Sequence, residues 1–298
     1  MRSYASTRGP PLPSKQDLRR RIRSVRSTEQ ITKAMKMVAA AKLRRAQTRI
    51  LEARPYAAAL DGVLRSLASR VASHRHELLV ERPEHAVTLV VVTADKGLCG
   101  AFNANIFREA ISLLDGERWE SVELVLVGRR AIEFFRRRSY TTHATYPELM
   151  NRLTPEAAFE LARALAARFA AGETDGIYLL YNRFRSILKQ EVTVERLLPI
   201  ERAKIAGEER PGAYIFEPSP QALLGHILPR HVQFQVLRAL LDSQAAEQAS
   251  RMTAMDAASK NAADMIDSLT LTYNRARQAS ITKELIEIVS GAQALAER

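Results

Sequence analysis

The stretch Arg251–Ser280, RMTAMDAASKNAADMIDSLTLTYNRARQAS, decides how this chain folds. Met252, Met255, Ser259, Ala262, Ile266, Leu269, Tyr273, Ala276 and Ser280 recur at alternating steps of three and four, the rhythm of a heptad seam. Several members are small or polar, which makes the seam a loose one. Near Ile281 the phase changes, and Ile281, Leu285, Ile288, Ala292 and Leu295 form a second stripe. The helical pattern reaches back to about Pro220, with Pro229 its only internal proline and no glycine between Gly225 and Gly291.

A matching helix opens the chain. Ser14 is placed to cap it, and Leu18, Ile22 and Val25, then Ile31, Met35 and Val38, recur at three and four while Arg19, Arg20, Arg23, Arg26, Lys33 and Lys36 fill other positions. Neither glycine nor proline interrupts Lys15 to Arg54, and a helix of that length extends about 60 Å. Pro55 is expected to bend or locally break it. The pattern then resumes through Leu60, Leu64 and Leu67 until Pro83 marks a boundary. A small domain cannot bury two such helices, so the economical arrangement packs them on each other as an antiparallel coiled coil. Each then shields one stripe, and its remaining surface faces solvent or an enclosing partner.

Between the helices the pattern changes. Val87-Thr88-Leu89-Val90-Val91-Val92-Thr93 is a continuous β-branched run of the kind buried on both faces in a parallel sheet. Val122–Val127, Ile177–Tyr181 and Glu191–Leu197 read as further strands. Helices are expected through Phe102, Ile106, Ala110 and Leu113, over Arg129–Arg137 and over Pro155–Ala170. The fold class is therefore α/β: a long antiparallel coiled coil of the N- and C-terminal helices with an inserted small, open, Rossmann-like α/β domain. The expected boundaries are a flexible, proline-bearing tail over 1–14, a helical shaft region over 15–82, the α/β domain over 83–200, a polar loop or foot segment over 201–219 and the second shaft helix over 220–298.

Forty-five basic against thirty-three acidic residues give a net charge of +12, which calls for an acidic partner without naming it. Its distribution is uneven. Lys15–Arg49 holds twelve Lys or Arg against Asp17 and Glu29, a net of +10, whereas Arg251–Arg298 holds six of each sign. Cys99 is the single cysteine, so neither an intrachain disulfide nor a cysteine metal cluster is possible. No apolar run reaches the length of a membrane span, and no apolar segment follows the first arginines as a secretory signal requires.

The glycine motif Gly97-Leu98-Cys99-Gly100 follows the first strand but has neither P-loop nor dinucleotide spacing. It reads as a tight strand-to-helix turn carried by Gly97, a packed Cys99 and Gly100, with Asp95 and Lys96 exposed beside it. His74 and His76 are the one close histidine pair, and residues two apart on a helix do not face together, so no metal site is expected. No serine lies in a nucleophile elbow and Cys99 has no evident base, so no catalytic residue and no cofactor is assigned. The basic first helix lacks finger spacing and stacking aromatics. A coiled-coil adaptor and a basic nucleic-acid binder stay open on these residues.

Three blocks narrow the choice. Ile31-Thr32-Lys33-Ala34-Met35-Lys36-Met37-Val38-Ala39-Ala40-Ala41-Lys42-Leu43-Arg44-Arg45-Ala46-Gln47 near one end, Asp95-Lys96-Gly97-Leu98-Cys99-Gly100-Ala101-Phe102-Asn103 in the middle, and Arg251–Asp256, Asn261–Ile266 and Tyr273–Leu285 at the other end closely resemble the gamma subunit of F-type ATP synthases. Ala94 and Lys96 stand where that family often has Ser and Arg. The resemblance implies a noncatalytic rotating shaft inside three alpha and three beta subunits, coupling transmembrane ion flow to ATP synthesis or hydrolysis at the beta sites. It implies that Lys33, Met35, Lys36, Arg44 and Arg45 face an acidic hinge region of beta, and that Arg277, Gln278 and Thr282 contact a beta loop. Tyr214 and Glu217, in a foot segment, would meet the epsilon subunit and the membrane c-ring. A delta subunit is a further member of such a complex, no nucleic acid is implied, and the expected location is the cytoplasmic side of a bacterial inner membrane, as a peripheral subunit.

Overall fold

The computed structural model describes residues 14–70, 76–116, 118–201 and 219–296. The expected tail before Ser14 and all but the end residues of the expected 201–219 loop lie outside them. Contacts divide the chain into two units, Met37–Ala254 and the pair of terminal segments, up to Lys36 and from Met255 onward.

The larger unit is built on a sheet. Its elements are β1 (Ala86–Val92), α2 (Phe102–Leu114), β2 (Ser121–Val127), α3 (Arg129–Phe135), β3 (Thr142–Tyr146), α4 (Pro155–Ala170), β4 (Gly176–Phe184) and β5 (Gln190–Leu198), between the long helices α1 (Lys15–Arg70) and α5 (Pro220–Ala296). Strand order is β3-β2-β1-β4-β5, with β1, β2, β3 and β4 parallel and β5 antiparallel to β4. The β-branched run forms β1 at the centre, where both faces are covered. Val87, Leu89 and Val91 pack with Ile106 and Ala110 of α2 and Phe135 of α3. Val90 and Val92 face the other way, into a core with Leu161, Leu165 and Phe169 of α4, Leu64 of α1, and Leu228, Val232 and Val236 of α5. Thr154 caps α4 by accepting the Ala157 amide, and Pro155 occupies its first turn.

Three features depart from expectation. β3 is an additional strand: Thr142–Tyr146 is a largely exposed edge strand whose polar residues give no apolar run to recognise. β4 and β5 meet as a hairpin because only a short turn, held by Ser186–Lys189 hydrogen bonds, separates them. Pro55 does not break α1, which continues to Arg70, and the neighbouring Tyr56 ring stacks on Phe234 with centroids 4.4 Å apart.

Close approach at the sheet's end requires one glycine. Gly128 has φ +93, and a Cβ there would lie 2.3 Å from the Thr93 carbonyl oxygen. That approach leaves Thr93 buried, with its hydroxyl donating to the Val127 carbonyl and accepting the Ala131 amide at the start of α3.

The terminal unit is an antiparallel helix pair. Lys15 Nζ donates to Ser280 Oγ at 2.7 Å, and Lys36 Nζ to Asp256 Oδ1 at 2.6 Å, so the chain numbers run in opposite directions along it. On α5 the positions its heptad rhythm predicts, Met255, Ser259, Ala262, Ile266, Leu269, Tyr273, Ala276 and Ser280, are all buried or half-buried. On α1 the expected stripe holds at Leu18, Ile22, Val25 and Met35, which are buried or half-buried, and slips by one residue at Ile31 and Val38. There Thr32 is buried and its neighbour Ile31 is 56% exposed, and in the part of α1 that belongs to the larger unit Ala39 is buried and Val38 is 55% exposed. At these two positions hydrophobicity picked out the larger side chain, and the helix buries its smaller neighbour.

Replacing Gly128 by alanine forces a side chain into the Thr93 carbonyl and an L-residue into positive φ. Destabilisation of at least about 1–3 kcal/mol is expected in denaturant titration followed by circular dichroism; an unchanged midpoint removes the close-approach argument.

Candidate functional site

The sheet reverses its strand order between β1 and β4, and the crevice at the carboxyl ends of such strands is where open α/β sheets bind ligands. Here the chain fills that crevice itself. Asp95 follows β1 and accepts three main-chain N–H groups, from Arg129 at 3.0 Å, Glu148 at 3.0 Å and Asn151 at 2.8 Å. One carboxylate thus ties the start of α3 to the turn after β3. Of the two turn residues expected at the surface, Lys96 is exposed and Asp95 is buried. Three converging donors offset the desolvation of its charge, and no local sequence signal announces donors from residues so distant in the chain.

The turn that follows is fastened to α5. Ser250 Oγ donates to the Cys99 carbonyl at 2.7 Å, and Arg251 Nη2 approaches the carbonyls of Gly97 at 3.3 Å and Lys96 at 3.4 Å. Arg251 Nη1 also pairs with Glu247 at 2.7 Å in a largely buried setting. Burial pushes the Glu247 carboxyl above the usual range, and the Arg251 guanidinium opposes that shift. Asn103 accepts the Ala94 amide and donates to Cys99 Sγ. Cys99 is buried with Ala94, Phe102 and Ala246, and burial raises its thiol pKa.

Gly97, Cys99 and Gly100 therefore sit in one packed turn. A Cβ on Gly97 would come within 2.6 Å of the Arg130 guanidinium, and Gly100 has φ +56. Leu98 also lies at positive φ, with its side chain 66% exposed. The turn directs carbonyl oxygens at α5 donors, the opposite polarity to the amide-lined cradle that holds a phosphate. Among the described residues no cluster of His, Cys, Asp and Glu could hold a metal ion. Ser250, Arg251 and Asn103 were not singled out from the sequence for this turn. The one available signal is a serine and an arginine ending the alanine-rich run Ala245–Arg251, which lies outside any nucleotide motif.

The proposed partner-facing residues occupy separate places. Lys33, Arg44, Arg45, Arg277, Gln278 and Thr282 are exposed, and Met35 and Lys36 are half-buried. Lys33 pairs with Glu29 at 2.5 Å and Lys36 with Asp256 at 2.6 Å. The hydrogen bond from Lys36, followed by that from Lys260, holds the Asp256 carboxyl below its ordinary range. Thr282 Oγ1 donates to the Gln278 carbonyl of its own helix. Asp256 and Gln278 are about 33 Å apart along α5 at 1.5 Å per residue, so these residues form no single patch. Past Ser280, Leu285, Ile286, Ile288 and Val289 are between 56% and 67% exposed, Leu285 and Ile288 of the second stripe among them. Tyr214 and Glu217 lie outside the described residues.

Comparison with known proteins bears on these surfaces. The family model described as ATP synthase matches residues 14–295. ATP synthase gamma chains of Anaeromyxobacter dehalogenans and Pelotomaculum thermopropionicum are each 48% identical, covering 95% of this chain and 100% of the relative. A chain in the Tetrahymena thermophila mitochondrial ATP synthase central stalk/c-ring structure is 28% identical with a TM-score of 0.60, covering 77% of this chain and 99% of that one. A chain in the Euglena gracilis mitochondrial OSCP/F1/c-ring structure, at 21% identity and a TM-score of 0.66, covers 94% of both and shares the fold. With a family match over nearly the whole sequence and relatives of this identity along their full length, the chain belongs to the ATP synthase gamma-chain family.

Proposed function

We propose that this chain is the central shaft of an F-type ATP synthase, turning within three alpha and three beta subunits as ions flow through a membrane c-ring. It drives the beta catalytic sites through successive conformations and makes or breaks no phosphoanhydride bond itself. The observation that carries this reading is the likeness to gamma chains over 289 residues at 48% identity. The antiparallel pair of helices supports it physically, since most of the surface of both helices is left outside their shared seam.

In finer detail, Lys33, Met35, Lys36, Arg44 and Arg45 meet an acidic region of beta, and Arg277, Gln278 and Thr282 meet a beta loop. Exposure of six of these eight supports the assignment. The acids already beside Lys33 and Lys36 do not oppose it, because solvent-screened pairs are weak and exchange readily. A rotating contact needs that weakness: it must bias angle without arresting motion. Tyr214 and Glu217, with neighbouring residues, are assigned to the epsilon subunit and c-ring on resemblance alone, and delta belongs to the same assembly. No helix among the described residues is long and apolar enough to cross a membrane. With bacterial relatives, that suits a peripheral subunit on the cytoplasmic side of an inner membrane.

The Asp95 turn is assigned the join between α5 and the sheet, through which torque passes within the larger unit. Ser250 and Arg251 grip the turn and Asp95 holds its base.

Three experiments test these readings. Purified chain mixed with alpha, beta and epsilon subunits is expected to enter the complex as a single copy. Failure to enter under conditions where the others assemble, or salt-steep binding to nucleic acid in its place, sinks the shaft reading. In assembled enzyme, the combined reversal Lys33→Glu, Lys36→Glu and Arg45→Glu should lower ATP-driven ion pumping per ATP hydrolysed by roughly two- to tenfold, and an unchanged ratio counts against those contacts. Asp95→Asn tests the turn: one oxygen becomes a donor facing main-chain N–H groups, so Cys99 alkylation should accelerate about tenfold. Equal alkylation rates in both proteins would remove Asp95 from that role.

A further inference from the structure

A cavity of about 300 Å³ opens between α1, β4 and α5, inside the larger unit. Ile50 and Ala53 of α1 with Phe234 and Leu241 of α5 give it an apolar wall. Charged side chains complete the lining: Arg183 and Arg185 at the end of β4, and Arg238 and Asp242 of α5. The three arginines share two acids. Glu195 accepts from Arg183 at 2.8 Å and from Arg238 at 2.5 Å, and Glu191 accepts from Arg185 at 2.9 Å. One positive charge is therefore left over at Glu195. Asp242 supplies the matching negative charge, yet it makes no hydrogen bond or ion pair among the described residues. It is half-buried, and burial pushes its carboxyl above the ordinary range against the pull of Arg238 and Arg183.

Arg238 and Asp242 lie four apart on one helix, where opposite charges ordinarily pair with each other. Here Arg238 commits its Nη2 to Glu195, and its Nε and Nη1 make no hydrogen bond among the described residues. A guanidinium with unused donors and a carboxyl with unused acceptors thus border one cavity, a single helical turn apart. A simple anion gains Arg238 but is repelled by Asp242, and a simple cation meets the reverse. A molecule carrying an ammonium and a carboxylate on one carbon satisfies both through charge-assisted hydrogen bonds. The apolar wall then takes an aliphatic side chain, and a volume at the small end of ligand sites suits a molecule of that size.

We propose that this cavity binds a free α-amino acid with a branched aliphatic side chain, its carboxylate on Arg238, its ammonium on Asp242 and its side chain against Ile50, Ala53 and Phe234. Bound there, the ligand bridges α1 and α5 beside the β4–β5 hairpin and acts as an effector of their join. The site is separate from the partner-facing residues and does not depend on the shaft reading.

Equilibrium dialysis of labelled L-leucine against the full purified chain is the direct measurement. Leucine should bind saturably at one site per chain. Isocaproate, which lacks the ammonium, and isoamylamine, which lacks the carboxylate, should each bind at least about tenfold more weakly, the weight of one hydrogen bond to a charged group. Asp242→Asn should weaken leucine by a similar factor without weakening isocaproate, and Ala53→Phe, which fills the cavity, should abolish leucine binding. Circular dichroism should match the parent for both variants; where a variant loses its helical signal, the three-probe comparison on the unaltered chain decides. No saturable leucine binding up to about 10 mM, the weak edge of specific affinity, overturns the proposal. So does an analogue bound as tightly as leucine, or leucine binding indifferent to both substitutions. Assembly with alpha and beta is read separately, so failure here leaves the shaft reading standing.

Discussion

A long helix with a narrow, small-residue seam has one good way to be stable, which is to lie against another helix. Serine, threonine and alanine bury little apolar area, so they contribute little by desolvation alone. What they allow is close approach, where dispersion contacts accumulate along the whole interface. In the terminal unit that requirement sets Lys15 opposite Ser280 and Lys36 opposite Asp256. It also leaves Ile31 outside while Thr32 goes in. Larger apolar residues in the seam would add burial and hold the backbones further apart.

In the larger unit the corresponding constraint is electrostatic. Asp95 brings a charge to the end of a parallel sheet, and three main-chain donors answer it. The carbonyls of Lys96, Gly97 and Cys99 then accept from Ser250 and Arg251 on α5. A crevice that in other open sheets is left for a ligand is here consumed in joining sheet to helix. Fold and activity part company at this point: the topology is one associated with nucleotide binding, while the polarity of its central turn is reversed.

Mechanical work asks for a stiff interior and a slippery exterior. Stiffness comes from buried groups with several partners each, such as Thr93, Asp95 and the Glu247–Arg251 pair. Exterior charges such as Lys33 and Lys36 hold only screened, exchangeable partners.

Much of this was legible in the residues. The α5 rhythm from Met252 to Ser280, the β1 run and the capped start of α4 follow from local periodicity and propensity, and each needs only neighbours in sequence. The edge strand β3 was not legible, because a half-exposed strand of Thr, His and Tyr has no apolar signature. On α1 the stripe was legible at Leu18, Ile22, Val25 and Met35 but one residue off at Ile31 and Val38, because hydrophobicity alone cannot tell a buried alanine or threonine from an exposed one; the partner helix makes that choice. Asp95 was missed for the same reason. The sequence by itself determined that two long helices flank an α/β segment and that one of them is strongly basic. Only the tertiary structure decided which polar groups are buried and what meets them, since burial and hydrogen-bond partners depend on residues distant in the chain.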